Sequence, residues 1–230
     1  MNLDKSFAFK GFKEELAIRY GKEKADKMWQ YANQECARLE REEDRGDKSV
    51  NGYVYPAVSL YRAIEKYVPG EALEATRAYG TKFGKRLKGI FSRITSIPGV
   101  PTLMWKNMDK IAAKMSSGYD CKNVEVGDGR CFMDITRCPL YDRAKELGTP
   151  EAVQIICCMD KEYMTGFRGV DYKRTKSVAE LHSPFLEKNS KHHDAVKHTN
   201  ATFGWGTESG KEYLDLESTV NVLYEALQLR

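Results

Sequence analysis

Through the first half of the chain, apolar residues recur at three- and four-residue intervals. Later they switch to every second residue. Between residues 22 and 43 they fall at Ala25, Met28, Trp29, Ala32, Cys36 and Leu39, which form one stripe of an amphipathic helix. The charged run 40–48 closes at Gly46, as a helix end and loop would. After Pro56 the spacing resumes at Ala57, Leu60, Tyr61, Ile64 and Val68, until Pro69-Gly70 breaks it. A third helix is predicted over 71–94, with Ala72, Thr76, Phe83, Leu87, Ile90 and Phe91 inward. Gly80 and Gly84 lie on or near that face, where small residues admit another backbone. Pro98 and Pro101 end it, and a fourth helix over 102–115 follows Met104, Met108, Ile111 and Met115.

The period then becomes two. CKNVEVGDGRCFMDIT carries two short extended runs around Asp128-Gly129, a hairpin signal. Cys131, Met133 and Ile135 share one face of the second run. Thr149-Pro150-Glu151 opens a helix that runs to Met164. Residues 170–178 read as extended, 182–198 as a polar loop, and GWGTESG (204–210) as a turn-rich linker. Residues 214–229 read as a last helix. The predicted fold class is α+β: a helical N-terminal layer packed on an antiparallel sheet with an inserted helix, plus a C-terminal helix. It forms one domain, with 1–118 mainly helical, 119–185 sheet with inserted helices, and 186–230 loop and C-terminal helix.

Composition narrows the function classes. The chain has 230 residues, 41% hydrophobic and 30% charged, the balance of a globular domain. Its net charge of +4, from 37 basic and 33 acidic residues, suits a small anionic substrate and gives no ground for nucleic acid. Residues 82–93 are the densest basic run, with the periodicity of a solvated helix face. No apolar run is long enough to span a membrane, and MNLDKSFAFKGFKEE has no signal-peptide core, so a cytoplasmic protein is expected. The six cysteines fit no zinc spacing and are expected to be reduced; Cys36 belongs to a core stripe. No phosphate-binding, dinucleotide or nucleophile-elbow motif is present, and no cofactor is expected. A homo-oligomer is compatible with all of this.

Candidate chemistry concentrates between Arg137 and Glu180. On the 150–164 helix, Ala152, Ile155, Ile156, Met159 and Tyr163 form the main buried stripe. Val153, Cys157, Asp160 and Met164 run beside it, while Gln154, Cys158 and Lys161 point away. Cys157 and Asp160 therefore share an apolar flank. An Asp there is costly unless something compensates its charge. Alternation on the next strand places Tyr172 and Arg174 on an apolar face as well, and an Asp160–Arg174 pair is the economical solution. Such a pair reads either as a buried ion pair fixing helix against strand, or as a site where Arg binds a carboxylate and Asp handles a proton. Cys138, between Arg137 and the strand-stopping Pro139, reads either as a corner residue or as a nucleophile with Arg137 promoting its thiolate. The four histidines cluster in 182–198. A metal site from His182, His193 and His198 is the alternative to a solvated loop.

Several segments in order resemble the L-2-amino-thiazoline-4-carboxylic acid hydrolase family: AVSLYRAIEKYVPGEALE (57–74), RCP (137–139), KELGTPE (145–151), C-x-x-D (157–160) and RTKSVAE (174–180). By that resemblance Cys138, Cys157, Asp160 and Arg174 match the family pattern. The resemblance implies hydrolytic opening of a carboxylated cyclic amidine thioether. Water or a cysteine thiolate would attack the carbon between nitrogen and sulfur. Cys157, Asp160 and Cys138 are then the catalytic candidates, and Arg174, Arg137 and Tyr172 the substrate-binding ones. The chain departs from the pattern after Glu180. Where that family continues to a Cys-Asp-Phe strand, this sequence reads LHSPFLEKNSKHHD, with Ser183-Pro184-Phe185 at about that place. A non-catalytic small-ligand-binding module of the same fold, and a metal-dependent enzyme using 182–198, are the competing readings.

Overall fold

The helical stripes of the first half form the expected elements, and two glycines set how tightly they meet. The computed structural model describes residues 3–43, 46–115, 118–127, 130–168, 170–174, 177–181 and 199–205. Its elements run α1 (Phe12–Tyr20), α2 (Lys22–Glu42), α3 (Lys48–Tyr67), α4 (Ala72–Ile94), α5 (Val100–Lys106), α6 (Met108–Met115), β1 (Asp120–Gly127), β2 (Arg130–Arg137), α7 (Pro139–Glu146), α8 (Gln154–Met164), β3 (Val170–Arg174), α9 (Val178–Leu181) and β4 (Thr199–Trp205).

The fold is α+β and dominated by helices, as the periodicity indicated. The helix read as starting after Pro56 begins earlier, at Lys48. Asp47 caps it by accepting from the Ser49 amide at 2.7 Å, and Pro56 sits inside it. The fourth predicted helix is two, broken at Asn107, whose side-chain amide donates to the Leu103 carbonyl at 2.9 Å. Pro150–Val153 is a tight 3-10 turn leading into α8. Two side chains differ from their predicted faces: Ile90 is 45% exposed, and Gln154 is buried.

The crossing of α4 on α8 fixes the centre of the molecule. A Cβ on Gly80 would overlap the Ile155 carbonyl, and one on Gly84 would lie 2.5 Å from the Met159 carbonyl oxygen. Glycine's missing side chain lets two helix backbones touch at successive four-residue steps. Phe91 of α4 extends this seam, stacking on Phe167 at 4.7 Å and meeting Tyr163 at 5.4 Å between ring centres. The main core lies around this crossing and the α2–α3 pair, with Met28, Leu39, Val58, Leu60, Ile64 and Ile155 nearly inaccessible. A smaller cluster of Met108, Cys131 and Met164 lies apart from it, with Trp105, Ile135 and Tyr172 packed on it.

Two arginines, Arg143 buried and Arg62 half-buried, tie the helices to the segment before α8. Arg143 of α7 donates to Asn51 Oδ1 (3.1 Å), the Tyr55 hydroxyl (2.9 Å), the Glu43 carbonyl (2.9 Å) and Glu146 (2.8 Å). Arg62 of α3 donates to Glu35 (2.6 Å), Thr149 Oγ1 (3.1 Å) and the Leu147 carbonyl. Glu35 also pairs with Arg38, and these guanidinium groups hold its carboxyl down at about 2 against the desolvation that opposes them. Removing Arg143 takes one buried hydrogen bond each from Asn51 Oδ1 and the Tyr55 hydroxyl, and two more from the Glu43 carbonyl and Glu146. Arg143→Ala is therefore expected to cost about 2–3 kcal/mol, read as a lower urea midpoint at unchanged slope.

The sheet has four strands in the order β1-β2-β4-β3, all neighbours antiparallel. The predicted hairpin is β1–β2. β4 lies between β2 and β3: Ala201 pairs with Met133 on one side and Arg174 on the other, and Phe203 with Cys131 and Tyr172. This corrects the reading of 186–230 as loop and helix and of Gly204-Trp205 as linker, because both residues lie in β4. The extended segment read as 170–178 ends at Arg174, and Val178 opens α9. The predicted helix 214–229 and the His-rich stretch with His182, His193 and His198 lie outside the described residues, as does the Asp128-Gly129 turn.

Candidate functional site

An apolar flank on α8, the end of β2 and the strand β3 bring their polar side chains to one place. Asp160 and Cys157 are three residues apart on α8 and share a face, as their spacing indicated. Cys138 follows β2 as the residue that caps α7. Arg174 and Tyr172 come from β3. All five are half-buried, deep within the protein yet retaining accessible surface. Cys157 is within electrostatic reach of Arg174, Cys138 and Asp160. The structure thus gathers five of the six sequence candidates.

Arg174 holds the arrangement together. Its Nη2 donates to the Cys157 carbonyl at 2.7 Å, tying β3 to α8, and its charge acts on the Tyr172 phenol. It acts on Asp160 as a charge rather than as a hydrogen-bond donor. The Tyr163 phenol, one turn along α8, also favours the charged carboxyl. Burial raises the Asp160 carboxyl to about 6. The Arg174 charge and the Tyr163 phenol both pull it back, but desolvation outweighs them. Asp160 therefore exchanges a proton within the physiological range.

The cysteines behave differently. Burial pushes the Cys157 thiol up to about 12, and neither the Arg174 charge nor the Ser177 hydroxyl bonded to its sulfur reverses this. Cys138 is also raised by burial. Its sulfur faces the Leu140 and Tyr141 amides at the start of α7, a favourable approach that does not close a capping hydrogen bond. Both are neutral thiols at pH 7.

Arg137 is not part of this cluster. It is exposed, with Nε 2.6 Å from Asp142 and Nη1 3.9 Å from Asp120. α7 begins two residues later and delivers Asp142 within reach, so the guanidinium is engaged there and does not promote a Cys138 thiolate. Three tyrosines complete the site. Tyr119, just after Gly118 turns the chain at φ +81, lies within electrostatic reach of Cys138, Asp160 and Cys157, and burial above all raises its phenol. Tyr163 stays protonated far above its ordinary range, first because of the Asp160 charge and then because of burial. Tyr53 of α3 stands at the rim, 41% exposed, raised by burial and by the Asp160 charge. The three-residue step from Asp160 to Tyr163 was a legible signal. Tyr119 and Tyr53 arrive from distant segments, which no local pattern reports.

Among the described residues, no group of three or more His, Cys, Asp or Glu could hold a metal ion, and no helix is long and apolar enough to cross a membrane. The site therefore offers one proton carrier near neutrality, one fixed cation, two neutral thiols and several phenolic donors.

Comparison with known proteins bears on which chemistry this set serves. A solved structure from a study of heme distortion in the H-NOX family aligns over 94% of this chain and 100% of that one. Its identity is 12% and its TM-score 0.29, too low to support an argument about fold. No curated protein matches. The family model of L-2-amino-thiazoline-4-carboxylic acid hydrolase matches residues 53–180. That span is more than half of the chain, from Tyr53 at the rim through Cys138, Cys157 and Asp160 to Arg174, and the chain belongs to that family.

Proposed function

We propose that this protein hydrolyses a small carboxylated heterocycle of the 2-aminothiazoline-4-carboxylate type, opening the ring at its carbon–sulfur bond. The observation that carries the reading is Asp160, a buried carboxyl poised at about 6 beside the fixed charge of Arg174. Arg174 supplies the cation for the substrate carboxylate. Tyr172, two residues before it on β3, lines the same end of the site.

Asp160 takes a proton from water as the water oxygen bonds to the carbon between nitrogen and sulfur. The carbon–sulfur bond then breaks, and Asp160 returns the proton to the departing sulfur. The second water proton ends on the ring nitrogen, giving a carbamoyl group and a free thiol. Water suits this site better than a cysteine nucleophile, because Cys157 and Cys138 are neutral thiols at working pH. They serve as a soft wall next to the substrate sulfur.

The test is to incubate the purified protein with 2-aminothiazoline-4-carboxylate and follow both thiol and ammonia. Thiol release with kcat/KM rising through about pH 6, as Asp160 ionises, is the expected result. Ammonia without thiol would move the cleavage to the carbon–nitrogen bond. Saturable binding with neither product would favour a non-catalytic ligand-binding module.

A further inference from the structure

Residues 75–108 hold seven basic residues and none of the chain's 33 acidic ones. The whole chain is +4, so everything outside that stretch is net −3. Most of the stretch is α4. Its inner face is committed to the core through Gly80, Phe83, Gly84, Leu87 and Phe91. On its outer side Lys82, Lys85, Arg86, Gly89 and Arg93 recur at three- and four-residue steps, with Ile90 at the margin, and all six are exposed. Lys82 is tied to Glu15, but among the described residues Lys85, Arg86 and Arg93 form no ion pair. Two large aliphatic side chains stand among these cations: Ile90 is 45% exposed, and Ile97, just past the helix end, 50%.

The tip that carries Ile97 is built rigidly. Thr95 Oγ1 accepts from the Arg168 amide at 2.9 Å and donates to the Phe91 carbonyl at 2.7 Å, which pins the turn after α4 to the loop after α8. That loop brings a further exposed cation to the same end, because Arg168 Nε lies 3.5 Å from Ser92 Oγ.

We propose that the outer face of α4 docks on an anionic lipid surface, with Lys85, Arg86, Arg93 and Arg168 meeting the headgroups and Ile90 and Ile97 entering the headgroup boundary. Cations beside exposed aliphatic groups on one helix face are the combination that such a surface rewards: the charges answer its negative potential and the isoleucines leave water. The net negative remainder of the chain turns the molecule so that α4 leads. Nucleic acid fits this face less well, since its exposed residues include no aromatic ring on which a base could stack and two isoleucines that a phosphodiester backbone cannot use. A bound peptide needs a groove, and Gly89, in the middle of the face, has nothing among the described residues within 4 Å of the place a methyl would occupy.

The experiment sediments the purified full chain with vesicles of phosphatidylcholine, alone or with about 30% phosphatidylserine. Binding to the anionic vesicles, weak on the neutral ones and falling as salt is raised from about 0.1 to 0.5 M, is the expected result. Lys85→Gln/Arg86→Gln/Arg93→Gln is expected to lower the partition coefficient about 100-fold, and Ile90→Ser/Ile97→Ser about tenfold. A control with the same loss of charge at exposed lysines of other helices, Lys24→Gln/Lys48→Gln/Lys145→Gln, is expected to bind within about twofold of the unaltered protein. All these positions are exposed, and unchanged urea midpoints confirm that the variants fold. No binding to anionic vesicles overturns the inference, as does an equal loss in the α4 and control variants. Two further results overturn it by giving the face to another occupant: a duplex oligonucleotide bound in place of vesicles and lost in the α4 triple variant, or a dimer lost in that variant with no vesicle binding.

Discussion

Gly80→Ala and Gly84→Ala are each expected to destabilise the protein by about 2–3 kcal/mol, and the double variant to fail to reach the native state in cells. On helix propensity alone the sign would be opposite, since Ala is better than Gly in a helix interior by up to about 1 kcal/mol. The contact decides. The added methyl meets main-chain atoms of Ile155 and Met159, which cannot swing aside as a side-chain tip could. α8 must move off α4 as a unit, opening the Phe91–Tyr163–Phe167 cluster with it. Gly89, on the same helix, has nothing among the described residues within 4 Å of the place a methyl would occupy. Gly89→Ala should therefore stabilise by a fraction of 1 kcal/mol. Urea midpoints for the three single variants test the argument. Equal effects at all three sites would mean that the close approach of α4 and α8 carries no stability.

Asp160→Asn is expected to lower kcat/KM by about 10²- to 10⁴-fold at neutral pH, the range for loss of a general acid–base group. It is also expected to stabilise the fold. The Asp160 carboxyl lies at about 6 in the folded protein against an ordinary value of 3.8. Between those values the folded chain keeps a proton that the unfolded chain has released, so stability falls as pH rises through that window. Above it, the deficit is at most about 3 kcal/mol. Asn has no charge to desolvate, so its melting temperature should exceed that of the unaltered protein at pH 7 and converge with it below pH 4. Near-normal turnover in a folded Asp160→Asn protein would remove Asp160 from the chemistry. Opposite signs for activity and stability are what a charge kept buried for function predicts.

Much of this was legible because helical periodicity is local. It separated Cys157 from Cys158, placed Asp160 on an apolar flank, and marked Gly80 and Gly84 as a contact face. The alternation on β3 brought Tyr172 and Arg174 toward that flank. What the pattern missed has longer-range causes. Ile90 fits the α4 stripe, yet among the described residues no element covers it. Gln154 is buried by the packing around the start of α8, although its helical phase points it outward. Arg137 is next to Cys138 in sequence, but α7 turns the chain so that Asp142 takes the guanidinium. Thr199–Trp205 carries the glycine of a turn and became a strand because β2 and β3 stand ready on either side.

That strand also orders events during synthesis. The hairpin beside Cys138 and the strand bearing Arg174 are not neighbours in the sheet, and β4 joins them. A ribosome that has delivered every residue of the site, through Arg174, has not yet delivered the strand that joins its two sides. The sheet register between the β1–β2 hairpin and β3 therefore waits on β4, which follows both in the chain.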